Sequence, residues 1–127
     1  MLALDYGSAR CGCAVSDPTG TLATPIPVVE RPGSKTGMAR LVALVSERGV
    51  DRVVVGLPVS LSGTDSDQTR EARSFADALR TRLGGVPVEM YDERFTTLIA
   101  ARSAGAAAAE DSRAAAVLLE DWLARHA

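Results

Sequence analysis

A chain of 127 residues is long enough for one domain with a single hydrophobic core, and 46% hydrophobic with 24% charged residues is an ordinary composition for a soluble globular protein. The net charge of −2 gives no overall attraction to nucleic acid. No apolar run approaches the roughly 18 residues that a membrane span requires. Because no signal-peptide pattern opens the chain, we expect a cytoplasmic protein.

The first quarter of the chain is predicted to form three strands joined by short turns. The strands are Leu2–Asp5, Cys11–Ser16 and Leu22–Glu30, and the turns are Gly7–Arg10 and Asp17–Gly20. Because proline cannot donate to a strand ladder, Pro25 and Pro27 indicate that the third strand lies at a sheet edge or begins irregularly. Strand alternation directs Cys11 and Cys13 to one face, where we expect them to be small buried hydrophobic residues.

The remainder alternates between helices and strands. We predict a helix over Thr36–Arg48, a buried strand at Val53–Val55 and a loop at Ser60–Asp67 that leads into a second helix. The apolar face of that helix carries Ala72, Phe75, Ala76, Leu79 and Leu83. A strand at Val86–Tyr91, a short helix at Thr97–Ser103, a connector at Gly105–Ala109 and a last helix at Ser112–Arg125 are predicted to follow. The order β-β-β-α-β-α-β-α predicts an α/β fold with a mixed five-stranded sheet and helices on both faces.

Acidic residues fall where such a sheet gathers ligands, outside the carboxyl ends of its parallel strands. Asp5 ends the first strand, and Asp111 precedes the last helix. Asp92 and Glu93 follow the fifth strand. Converging carboxylates repel one another unless they share a divalent cation, and hard oxygen ligands suit Mg²⁺ or Mn²⁺. A pair of such ions would orient an attacking water and stabilise the leaving oxygen in phosphodiester hydrolysis.

Each acid also has a purely structural interpretation. Asp5 could accept hydrogen bonds from the amides of the Gly7 turn. Asp92 and Glu93 could be solvated turn residues or the start of a helix, and Asp111 could be a helix N-cap. The functional interpretation therefore depends on the three acidic positions occurring together in a fitting order.

Arginines near these acids are candidates for phosphate contacts, because a guanidinium group can bind phosphate through two hydrogen bonds. Arg10 and Arg94 each lie near a proposed acid, and their alternative role is a salt bridge that holds the carboxylates apart. Arg70 follows the loop Gly56–Thr64, whose glycines and hydroxyls could approach a sugar-phosphate chain. Its alternative role is part of a solvated helix face.

Four blocks of sequence, in this order, resemble the YqgF/RuvX family, described as Holliday junction resolvases and as pre-16S rRNA nucleases with a ribonuclease H-like fold. The blocks are Asp5-Tyr6-Gly7 with Arg10, Gly12 and Ala14–Asp17; Val55–Pro58 with Gly63-Thr64; Asp92–Thr97; and Asp111–Ala115 with Leu118-Leu119. The match covers nearly the whole chain. Cys11 and Cys13 replace the usual aliphatic residues, and the alanine-rich connector before Asp111 lacks the usual basic residues.

The resemblance implies a metal-dependent endonuclease, cytoplasmic, that uses Mg²⁺ or Mn²⁺ and matures the 5′ end of pre-16S rRNA. Its metal-binding and catalytic residues would be Asp5, Glu93 and Asp111, and its substrate contacts Gly7, Arg10, Arg70, Arg94 and Thr96. Implied partners are structured RNA or branched DNA and pre-ribosomal particles, with the chain as a monomer or homodimer. Two other hypotheses are a Holliday junction resolvase that acts on branched DNA and a catalytically inactive binding module that associates with nucleic acid or the ribosome. A third, the sugar-kinase and chaperone ATPase fold, is disfavoured because it needs two large domains.

Overall fold

The computed structural model describes residues 1–57, 67–92 and 108–126, and the side chains of residues 1–56, 67–92 and 112–126. The elements are β1 (Leu2–Asp5), β2 (Arg10–Ser16), β3 (Ala23–Glu30), α1 (Lys35–Glu47), β4 (Val53–Leu57), α2 (Asp67–Leu83), β5 (Val88–Asp92) and α3 (Ala108–Arg125). The five strands and the first two helices agree with the predicted elements within a few residues. The predicted short helix at Thr97–Ser103 lies outside the described residues.

The strands form one mixed sheet in the order β3-β2-β1-β4-β5. β1 and β2 are antiparallel, as are β2 and β3, whereas β1, β4 and β5 are parallel. β3 lies at an edge, which confirms the interpretation of Pro25 and Pro27, because an edge strand tolerates a missing backbone donor. The carboxyl ends of β1, β4 and β5 consequently meet at one end of the sheet.

Helices cover both faces of the sheet, as predicted. α1 and α2 enclose the larger core with Leu2, Leu4, Val53, Val55 and Val88, and α3 encloses a second core with Ala3, Ala14, Val54 and Tyr91. Both Cys11 and Cys13 are completely buried in the larger core, which confirms their predicted role. A continuous apolar run in β4 is required because that strand is covered on both sides.

A glycine in the left-handed conformation follows each of the helices α1 and α2. Gly49 follows α1 with a φ of 61°, and Gly84 follows α2 with a φ of 66°. Only glycine adopts this left-handed conformation without steric cost, so the chain leaves each helix at that point. Over the described residues, no helix is long and apolar enough to cross a membrane.

The start of the last helix differs from the prediction. α3 begins at Ala108, four residues before the predicted start at Ser112. Asp111 is therefore the fourth residue of the helix, and its interpretation as an N-cap is wrong. The predicted connector is also wrong at Ala108 and Ala109. Alanine has the highest intrinsic helix propensity, so the helix extends through residues that the sequence interpretation assigned to the connector.

Candidate functional site

Asp5 is the last residue of β1, the central strand, and lies at the end of the sheet where the parallel strands terminate. It is 4% exposed, and its neighbours across the ladders are Gly12 of β2 and Gly56 of β4. Since glycine has no side chain, neither neighbouring strand crowds the Asp5 carboxylate. Strand alternation places Asp5 with Ala3 on the face covered by α3. A buried acid fixed by a strand end is a typical functional placement.

The register of β5 fixes the face of the sheet on which Asp92, the last residue of the strand, lies. Val88 and Met90 contact the larger core, whereas Tyr91 contacts the α3 core. Alternation therefore places Asp92 on the α1 and α2 face, opposite to the face of Asp5. The next residue, Glu93, lies outside the described residues.

A buried serine fixes the first turns of α3 to the sheet. The Ser112 hydroxyl donates to the Ile26 carbonyl at 2.6 Å and accepts from the Cys13 amide at 3.5 Å. The β2–β3 register shifts between Cys11 and Cys13, so the serine bonds groups of both strands beside this irregularity. The backbone of Asp111, one residue earlier, is thereby held over the Asp5 face. Sequence reasoning missed this contact.

Replacing Ser112 with alanine should lower the free energy of unfolding by about 1–3 kcal/mol, because it removes a hydrogen-bonding partner from one buried and one partly buried backbone group. Ser112 is 3% exposed, so water cannot readily replace the hydroxyl. Chemical denaturation measures the loss. Ser46→Ala, an exposed substitution within α1, is the matched control and should change stability by less than about 0.5 kcal/mol. An equal effect of the two substitutions would contradict the anchoring role.

Tyr91 joins the end of β5 to α3. Its hydroxyl donates a hydrogen bond to Asp121, and the residue is 8% exposed. Burial, followed by the hydrogen bond to Asp121 and the charge of that carboxylate, raises the pKa of Tyr91 to about 12. Tyr91 therefore remains a neutral donor at physiological pH. Two separate contacts, at Ser112 and at Tyr91, thus fix α3 over the Asp5 face.

The predicted substrate-contact residues occupy different environments. An added Cβ at Gly7 would lie 2.7 Å from the Arg10 carbonyl oxygen, so the tight turn after β1 requires glycine. Arg10 begins β2 opposite Glu30 and is exposed. Arg70, on α2, forms an exposed ion pair with Asp67. Arg94 and Thr96 lie outside the described residues.

Among the residues with described side chains, no group of three histidine, cysteine, aspartate or glutamate residues could hold a metal ion. Of the three predicted metal ligands, only the Asp5 side chain is described. Glu93 and the side chain of Asp111 lie outside that part of the chain. The ligand set therefore stays a prediction, whereas the fixed position of Asp5 and the attachment of α3 are structural observations.

The mixed sheet, with helices on both faces, is the ribonuclease H-like fold of RuvC. The chain resembles RuvC of Thermus thermophilus, solved in complex with a Holliday junction substrate, with a TM-score of 0.58 and 16% identity over 99% of this chain and 96% of that one. Residues 1–125 match the model of the family described as RuvX: Holliday junction resolvase. The chain belongs to this family.

Relatives that are somewhat longer than this chain carry the name of a proposed pre-16S rRNA nuclease. One, from Mycolicibacterium paratuberculosis, is 43% identical over 130 aligned positions that cover 96% of this chain and 78% of the relative. Another, from Chloroflexus aurantiacus, is 40% identical over 131 positions that cover 97% of this chain and 85% of the relative. These similarities confirm the family predicted from the four sequence blocks.

Proposed function

We propose that this protein is a nuclease, a hydrolase of phosphodiester bonds, that acts in the cytoplasm on the 5′ end of pre-16S rRNA. The observation that carries the proposal is Asp5, a buried carboxylate at the carboxyl end of β1 in a RuvC-like sheet. The names of the relatives support RNA as the substrate. Residues 1–127 would act as one nuclease domain.

We propose Mg²⁺ or Mn²⁺ as the cofactor, held by Asp5, Glu93 and Asp111, which would also be the catalytic residues. The side chain of Asp5 suits such an ion, since it is a hard oxygen donor fixed between two glycines. The backbone of Asp111 is anchored on the same face through Ser112. Alternation on β5 places Asp92 on the face opposite to Asp5, which disfavours Asp92 as a ligand. When bound, the ion would supply a polarised water and charge stabilisation for the leaving oxygen.

The substrate strand would cross the end of the sheet beside Asp5. Arg10 and Arg94 would bind its phosphates as bidentate donors, and the tight Gly7 turn would let the backbone approach the strand closely. Thr96 would donate a hydrogen bond from its hydroxyl to the substrate strand. Arg70 would have to release Asp67 first, so we propose a smaller contribution from it.

Cleavage of RNA that contains the 5′ end of pre-16S rRNA tests this proposal. We expect a 5′-phosphate and a 3′-hydroxyl at the cut, formed with Mg²⁺ or Mn²⁺ and not in the presence of EDTA. The control is RNA of equal length and scrambled sequence. Metal-independent cleavage would contradict the metal site, and equal cleavage of both RNAs would contradict the pre-16S substrate.

A second candidate function is resolution of Holliday junctions, which the description of the matched family favours. A four-way DNA junction has approximate two-fold symmetry, so a homodimer would suit it, whereas trimming of an RNA end can be done by a monomer. The same cleavage assay with a four-way DNA junction separates the two. If the protein cleaved the junction faster than the pre-16S RNA, branched DNA would take the place of RNA as the proposed substrate.

A further inference from the structure

A pocket of about 480 Å³ opens on the α1 and α2 face, beside the carboxyl end of β1. Its lining includes Tyr6, Ser8, Arg31, Glu71 and Ser74. Tyr6 directly follows Asp5, so this pocket and the candidate site lie on the two faces of the same strand end. Its volume is within the range of small-ligand sites, about 300–1,000 Å³.

An aromatic pair forms one wall of the pocket. The rings of Tyr6 and Phe75 have centroids 4.6 Å apart and an interplanar angle of 31°. Phe75 is only 4% exposed, whereas Tyr6 is partly exposed. Burial, followed by the nearby negative charge of Glu71, raises the pKa of Tyr6. Buried Phe75 therefore supports the Tyr6 ring, and the pocket presents this ring together with the Glu71 carboxylate, a hydrogen-bond acceptor.

Arg31 contributes a strained backbone to this pocket. Among the described residues, it is the one non-glycine residue with a positive φ, 43°. Its amide donates to the Ala9 carbonyl at 2.9 Å, and its carbonyl accepts from the Ser34 amide at 2.9 Å and the Ser34 hydroxyl at 2.7 Å. These bonds hold the left-handed conformation in place. A strained residue that its surroundings hold in place points to a function at that position.

We propose that this pocket binds one unpaired nucleotide of the substrate strand, with its base against Tyr6 and its phosphate on Arg31. The inference rests on the proposed nuclease function and extends the substrate path around the end of β1. Aromatic rings and arginine are the groups that bind unpaired bases and phosphates. Glu71 would accept from an amino group of the base.

The test uses Asp5→Asn protein in EDTA, so that neither metal nor cleavage enters the measurement. A single-stranded RNA octamer with one 2-aminopurine is the probe, because its fluorescence falls when the base stacks. We expect saturable quenching that Arg31→Gly weakens about ten-fold, which corresponds to the loss of one good phosphate contact. Glycine accepts the left-handed φ, so the melting temperature should stay equal or rise.

A second variant fills the pocket without touching its charges. Ala78 lines the pocket, and Ala78→Phe should abolish the quenching, whereas Ala124→Phe at the exposed end of α3 should leave it unchanged. Arg48→Ala, at the far end of α1, controls for loss of one positive charge. Unchanged affinity in both Arg31→Gly and Ala78→Phe would overturn the proposal. If free AMP bound as tightly as the octamer, the ligand of the pocket would be a free nucleotide and not a nucleotide of the substrate strand. Neither result depends on whether the protein cleaves RNA.

Discussion

Asp5→Asn should reduce metal-dependent cleavage at least about 100-fold, which is the loss expected on removing one group that stabilises charge in the transition state. Asp5→Asn preserves the shape of a side chain that is 4% exposed and removes the charge proposed to hold the ion. Glu93→Gln should have a comparable effect, since both carboxylates would serve one metal site. Cleavage rates of the pre-16S 5′ segment, measured at saturating Mg²⁺, check this expectation.

The same substitution should also be visible without any substrate. An ion that binds only the folded state at 100 times its Kd stabilises that state by about 2.7 kcal/mol, and most of this gain should disappear in Asp5→Asn. Thermal unfolding with and without Mn²⁺ measures the difference. Asp77→Asn is the matched control, because Asp77 lies exposed on α2 in an ion pair with Arg80. If wild type and Asp5→Asn gained equal stability from Mn²⁺, Asp5 would not be a metal ligand.

The strand pattern was predictable because each strand had a local signal. Val53–Val55 is uniformly apolar and contributes side chains to both cores, and Pro25 and Pro27 mark the edge strand. The position of Asp5 at the end of β1 followed from the same signals. The choice of Glu93 rather than Asp92 as a ligand followed from the family resemblance, and β5 adds only that Asp92 lies on the face opposite to Asp5.

Contacts between distant segments were not predictable. Ser112 bonds Ile26 across 86 positions of the sequence, and nothing near Ser112 indicates that partner. The extension of α3 to Ala108 was missed because a glycine before the alanines suggested a connector. The pocket was missed for a similar reason, since Tyr6, Arg31 and Glu71 come from three separate segments. Periodicity reports which residues are buried, and it does not report which buried residues meet.

Replacing Gly37 with alanine should lower the free energy of unfolding by about 3 kcal/mol, at the upper end for overpacking of a close-packed contact. Gly37 is the third residue of α1, where helix propensity alone would favour alanine by about 1 kcal/mol. Steric contact reverses that preference. An added Cβ would lie 2.1 Å from the Arg31 carbonyl oxygen and 2.8 Å from the Pro32 Cα. Both are backbone atoms, so no side-chain rotation can relieve the overlap.

Gly85→Ala is the matched control, because an added Cβ there meets no atom within 4 Å, and its stability should change by less than about 0.5 kcal/mol. Denaturant titration of both variants measures the contrast. Since Gly37 packs against the turn that holds Arg31, Gly37→Ala should also weaken binding of the 2-aminopurine octamer. Arg31→Gly should weaken the same binding without a loss of stability. The pair therefore separates damage to the turn from loss of the arginine side chain, and a stable Gly37→Ala protein would contradict the close contact itself.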